Sequence, residues 1–150
     1  MNLFFIGRAN YQPVFILQKL IANLLKNQQY QSHVILLLEH SPVYTIGIRT
    51  KDPANDYSET AFARLKQSGA DVFRSDRGGL ITYHGPGQLV VYPILNLQCK
   101  KLLGSGIKWY VGALEQTGID VCRAFGLNAR AGSDEEIGVW LDPFKKVMAI

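Results

Sequence analysis

"RGGLITYHGPGQLVVYP", residues 77–93, gathers four glycines, two prolines, an arginine and a histidine ahead of an apolar run that reads as a strand. Glycine costs roughly 0.5–1 kcal/mol relative to alanine inside a regular element, and is kept for positive φ or for close approach of the backbone to something else. Arg77 beside Gly78 and Gly79, whose backbone N–H groups can face a ligand, suits recognition of phosphate or carboxylate. Taken singly, an Arg-Gly-Gly is equally at home in a turn with a solvated arginine. His84, with an ordinary pKa of about 6.5, can transfer a proton or serve as an oriented donor. The ensemble carries more than its parts: "YHGPGQ" sets a histidine and two glycines around a proline at the mouth of a strand. "LVVYPIL" and the earlier "VYTIG" offer walls for an aliphatic chain, since ligand pockets are mostly apolar with a few placed polar groups. Each of their residues also fits plain core.

Outward from that stretch, residues 11–26 place Val14, Leu17, Ile21, Leu24 and Leu25 at helical spacing, with Gln18, Lys19 and Asn23 opposite. "HVILLLEH" reads as a buried strand, and after a Ser-Pro break "VYTIGI" gives a second, the two joined by a tight turn and the second ended by Gly47. "RTKDPANDYS" predicts a surface loop before a short helix over residues 59–67, which Gly69 ends. "ADVFRS", "LITYH" and "LVVYPILNL" are further strands. Beyond a loop at residues 104–106, Ile107, Tyr110, Val111, Leu114, Val121, Cys122 and Phe125 predict one face of a long helix, despite Gly118 near its middle, with Gly126 as its stop. "EIGVWL" and "KKVMAI" form a closing hairpin around "DPF". Strands interleaved with helices make the class α+β.

The chain has 150 residues, 47% of them hydrophobic and 19% charged, which suits one globular domain with a real core. No apolar run approaches the roughly 18 residues of a membrane span; the longest, residues 34–38, stops at Glu39. "MNLFFIGRANYQPVF" has too short an apolar part for a secretory signal. The net charge of +4 lies in no long Lys or Arg block and accompanies no nucleic-acid motif, so a nucleic-acid partner is not expected. Cys99 and Cys122 carry no metal-ligand or disulfide spacing and read as free, partly buried thiols in a reducing compartment. The chain finishes on apolar residues in extended rhythm, which predicts a domain cut short.

The long stretch, extended as "RGGLITYHGPGQLVVYPILNL", closely resembles the signature of the lipoyl(octanoyl) transferases. "LLLEHSPVYTIG" upstream and "GVWL" and "KKVMAI" downstream extend the resemblance over nearly the whole chain. It implies the biotin/lipoate ligase-like α+β fold, a mixed sheet flanked by helices, with residues 1–150 an incomplete single catalytic domain whose C-terminal part is missing. It implies octanoyl transfer from octanoyl-acyl carrier protein to a lysine of the lipoyl domains of dehydrogenase complexes and of glycine cleavage H protein, the first step of protein lipoylation, with no cofactor and no metal.

The family uses a Cys–Lys pair, in which a cation lowers the pKa of the thiol that holds the acyl group. "KVMAI" matches its lysine segment and nominates Lys146, with Lys145 as basic neighbour. By the same resemblance Arg77, Gly78, Gly79, Leu80, Ile81, Thr82, Tyr83 and His84 line the acyl-substrate site, and Ala149 and Ile150 begin a second substrate-contacting segment. The family's cysteine lies downstream of the lysine segment, and neither Cys99 nor Cys122 sits in a matching motif. "GVWL" resembles animal mitochondrial members, so the implied compartment is mitochondrial, with a bacterial-type cytoplasmic protein as the alternative. Two other readings stand beside this one: an ATP-dependent lipoate or biotin ligase relative, and a non-catalytic binder of acyl groups or acyl carrier protein. Lipoate ligases carry a triple glycine and a His-Asp pair where this chain has two glycines and His-Gly-Pro-Gly.

Overall fold

In a computed structural model, residues 1–48, 59–97, 106–133 and 136–150 are described. The expected loop over residues 49–58, Gly104 of the next loop, and Cys99 lie outside the described residues. The chain divides into two compact units, Met1–Asn96 and Leu97–Ile150.

The first unit is organised by strand β2 (Val34–His40), on which every second residue is buried: Val34, Leu36, Leu38 and His40. This is the period-2 rule for a strand with one face turned to a core. β1 (Asn2–Ala9) runs parallel to β2 on one side, and β6 (Val90–Ile94) antiparallel on the other. Helix α1 (Tyr11–Lys26) accepts Pro13 in its first turn, where a missing N–H breaks no helical bond. It lays Val14 against Val34, Leu36 and Leu38, with Ile21, Tyr92 and Ile94 around them. Burying each such aliphatic side chain contributes roughly 1.5–3 kcal/mol.

A second three-stranded sheet has β3 (Val43–Ile46) in the middle, parallel to β4 (Asp71–Arg74) and antiparallel to β5 (Ile81–His84). The Ser41-Pro42 turn therefore hands the chain from one sheet to the next, and β2 and β3 do not pair as a hairpin. Helix α2 (Glu59–Gln67) ends two residues before Gly69, whose φ is +80°. β1 is the element that periodicity missed. Gly7 and Arg8 interrupt its apolar run, and its register slips between Phe5 and Gly7, so pairing with β2 rather than local pattern makes it a strand.

The second unit holds helix α3 (Gly106–Ala124), a two-residue strand β7 (Arg130–Ala131), and the expected hairpin of β8 (Val139–Asp142) and β9 (Lys145–Met148). The expected apolar face of α3 is only partly correct: Ile107, Val121 and Phe125 are exposed. Gly118 is instead the helix's buried contact. A Cβ there would meet Met148 Sδ at 2.5 Å and Val139 Cγ2 at 2.9 Å, so the residue that looked like a blemish lets the hairpin close on the helix.

Candidate acyl-transfer site

In the first unit, the N-terminal half of α1 and the ends of both sheets converge on a cluster of rings. Tyr11 lies 5.1 Å from His40, 5.0 Å from Phe73 and 6.2 Å from His84, centroid to centroid. Phe15 meets Phe73 at 5.3 Å, and His40 meets Tyr92 at 5.9 Å. Beside them opens a cavity of about 400 Å³, lined chiefly by Tyr11, Phe15, Gln18, His84, Tyr92 and Ile94, with Arg77 and the Lys19–Asp76 ion pair also in its wall. Its size is that of a small-molecule site.

Hydrogen bonds fix the state of His40. His40, fully buried, has Nδ1 at 3.0 Å from the Ala9 carbonyl oxygen, which can only accept, so Nδ1 carries the hydrogen. Its Nε2 therefore accepts from the Tyr92 hydroxyl at 2.9 Å. Burial lowers the His40 pKa and raises that of Tyr92 well beyond its ordinary value, so both groups stay neutral.

Thr45, also fully buried, is the second hub. Its Oγ1 accepts from Arg77 Nε at 3.0 Å and lies 2.9 Å from Arg77 Nη2. The hydroxyl donates to the Thr82 carbonyl oxygen at 3.3 Å, and His84 Nε2 lies 3.2 Å from the same Oγ1. Burial, with His40 and Arg77 nearby, lowers the His84 pKa to about 4, in agreement with a neutral ring.

Arg77 turns its guanidinium into the protein. Besides Thr45 Oγ1 it donates to the Thr45 carbonyl at 2.7 Å, the Leu80 carbonyl at 2.7 Å and the Gly78 carbonyl at 2.8 Å. The glycines beside it have a local reason too. Gly79 has φ of +85°, and a Cβ on Gly47 would run into the carbonyl oxygens of Gly78 and Gly79. Leu80 and Tyr83 are exposed, and Tyr83 packs 5.1 Å from Tyr44. Ile81 and Thr82 are half-buried in β5. Strand alternation sets Thr82 and His84 on the same face, away from Tyr83. The structure thus brings Arg77, Thr82 and His84 together around Thr45.

The second unit holds Lys146, Ala149 and Ile150. Lys146 Nζ donates to the Ile137 carbonyl at 3.0 Å and stands 4.5 Å from the centre of the Trp140 ring. Lys145 pairs with Asp142 at 3.5 Å, whose carboxyl is held below its usual range first by the Phe144 backbone N–H. Ala149 and Ile150 are exposed beyond the end of β9. Cys122 is a half-buried free thiol on α3.

Tyr11, His40, Thr45 and Tyr92 were not singled out from sequence. A signal for two of them existed: alternation along "VILLLEH" puts His40 on the buried face, and Thr45 is a polar residue inside an apolar strand.

The first unit thus joins a chiefly apolar cavity, two neutral histidines and an inward-turned arginine, the make-up of a small-molecule-binding site on an α+β scaffold. The model of the lipoyl protein ligase A/B catalytic domain matches residues 10–150, and the chain belongs to that family. It is 44% identical over 146 residues to the Danio rerio octanoyl-[acyl-carrier-protein]:protein N-octanoyltransferase LIPT2, mitochondrial, covering 97% of this chain and 61% of the relative. It is 41% identical over 140 residues to the octanoyltransferase of Methylococcus capsulatus, covering 93% and 60%. The chain thus spans about three fifths of the length of these curated relatives. Among solved structures, lipoate-protein ligase A bound with ATP superposes with a TM-score of 0.58 at 17% identity, over 91% of this chain and 51% of that one. The fold is accordingly the biotin/lipoate ligase-like α+β arrangement.

Proposed function

We propose that residues 1–150 form part of one catalytic domain that transfers an octanoyl group from octanoyl-acyl carrier protein to a lysine of lipoyl domains. The observation that carries this reading is the apolar cavity against a neutral, pre-oriented His84. A chiefly apolar wall favours an aliphatic chain, and the neutral His84 ring is a suitable donor for the thioester carbonyl oxygen. Two relatives named as octanoyltransferases at over 40% identity support the same chemistry.

In the net reaction the acceptor amine adds to the thioester carbonyl, the C–S bond breaks, an amide forms, and the amine's proton leaves with the released thiol. Lys146 serves as the cation that favours a thiolate, and its ammonium is a proton donor for sulfur. Arg77 to His84 frame the acyl site, Gly78 and Gly79 by their backbone, and Ala149 and Ile150 extend the segment that follows Lys146. Where the acyl group rests on sulfur between the two transfers, neither Cys99 nor Cys122 is assigned as that sulfur. The partners are acyl carrier protein and lipoyl domains, glycine cleavage H protein among them. The compartment is mitochondrial, a reading supported by the zebrafish relative's name, while the bacterial relative keeps a cytoplasmic protein as the alternative.

Intact mass spectrometry and a binding titration with octanoyl-acyl carrier protein test the reading. Saturable binding that weakens in His84→Phe is expected. Absence of binding, or acyl-adenylate formation that depends on ATP, would overturn it.

A further inference from the structure

The "GVW" element beside Lys146 has no role in the reading above, yet the second unit is built around it. β8 and β9 pair Trp140 directly opposite Lys146, and the register slips on each side of that one pair, between Val139 and Trp140 and again between Trp140 and Asp142. Bulges of this kind re-aim side chains, and here two of them isolate a single cross-strand pair.

Both partners are pinned to neighbouring carbonyls. Trp140 Nε1 donates to the Glu136 carbonyl at 2.9 Å, and Lys146 Nζ donates to the Ile137 carbonyl at 3.0 Å, so one short segment fixes the ring and the ammonium above it. That segment is anchored in turn. Gly138 N donates to Glu115 Oε1 on α3 at 2.9 Å, and Gly132 N donates to the Gly138 carbonyl at 2.8 Å. Two glycines make the room. A Cβ on Gly132 would strike the Glu136 carbonyl and lie 2.9 Å from Trp140 Nε1, and one on Gly138 would strike the Met148 carbonyl and press on Lys146 Cδ at 3.4 Å.

Among the described residues, both partners of the ammonium are neutral. Among the described residues no carboxylate forms an ion pair with Lys146, whereas the adjacent Lys145 is paired with Asp142. A ring face and a carbonyl dipole orient a cation without cancelling its net charge.

We propose that Trp140 is the positioning residue for Lys146: the Gly138–Val139–Trp140 arm holds the ammonium over the indole so that its full charge is presented to an anion such as a thiolate. This rests on the reading of Lys146 as the acyl-transfer lysine. It also separates the two consecutive lysines, since only Lys146 is oriented by uncharged groups.

Reductive 13C-methylation of the full chain, read by NMR, tests the arrangement, with Lys146→Arg assigning the signal. In the native chain the Lys146 dimethylamino signal is expected upfield of those of the other lysines, because the indole ring current shields it. Trp140→Phe should keep an upfield signal, and Trp140→Leu should move it to the position of the other lysines. A native Lys146 signal that coincides with the other lysines would overturn the proposal, and this holds even if the leucine variant fails to fold. An upfield signal that persists in a folded Trp140→Leu chain would overturn it too. The reading of Lys146 itself fails separately: an unchanged rate of octanoyl transfer in Lys146→Gln would remove the catalytic role while leaving the ring-current result intact.

Discussion

Arg77 and Lys146 are the two cations that the sequence brings forward, and the two units treat them in opposite ways. Arg77 directs its guanidinium to oxygens of Thr45, Gly78 and Leu80, and so locks the wall of the cavity beside His84. Lys146 meets one carbonyl and one ring, with no ion pair among the described residues. A charged residue in a motif is thus of two kinds. One holds its surroundings together and should be costly to remove; the other is exposed and should be cheap to remove for stability.

The largest expected effect follows from the first kind. Arg77→Met should destabilise the fold by about 3 kcal/mol in urea denaturation, because hydrogen bonds to charged groups are worth about 1.5–3 kcal/mol and several acceptors lose their donor together. A loss no larger than that of an exposed lysine would erase the distinction.

Protons should also discriminate between the units, since His40 and His84 lie in the first and residues 97–150 contain no histidine. Both imidazoles are held below their ordinary value, so the unfolded chain takes up protons first as pH falls below about 6.5. Stability should therefore drop from about pH 6.5 toward 4, with a limiting slope of about 1.4 kcal/mol per pH unit for each histidine. Denaturation curves across that range check the sign. The Lys146–Trp140 contact should keep its NMR signature over the same interval.

Thr45→Val should cost about 1–2 kcal/mol, by removing the hydroxyl that joins Arg77 to His84 at nearly constant volume. Urea denaturation of the variant beside the native chain checks this. The smallest effect is reserved for Lys146→Met, which should change stability by no more than about 0.5 kcal/mol. A cost comparable to that of Arg77→Met would make Lys146 a structural residue.

Much of this organisation was legible in the chain. The apolar run of β2, the extent of α1 and the turn residues around Gly69 and Gly126 are local signals, and the structure follows them, although on α1 Leu17 is exposed and Gln18, expected on the opposite side, lines the cavity. What escaped depends on contacts distant in sequence. β1 is a strand because β2 pairs with it, and Gly118 matters because Met148 and Val139 rest against it. The glycine-rich stretch was recognised as a site, but its arginine was expected to face a ligand. That its guanidinium turns inward follows from the partners offered by Thr45, 32 positions away. His40 lay in plain view on the buried face of an alternating strand, yet its role needed Tyr92 and Ala9 to be placed beside it.

The cavity of the first unit as the acyl site is the claim on which the rest depends, and photolabelling with acyl carrier protein carrying an octanoyl chain tipped by a diazirine tests it most directly. Peptide mass spectrometry should place the label on segments bearing Tyr11, Phe15, Tyr92 or Ile94, and excess unlabelled octanoyl-acyl carrier protein should suppress it. Label confined to other segments, or unaffected by that competitor, would contradict the assignment of the cavity to the acyl chain.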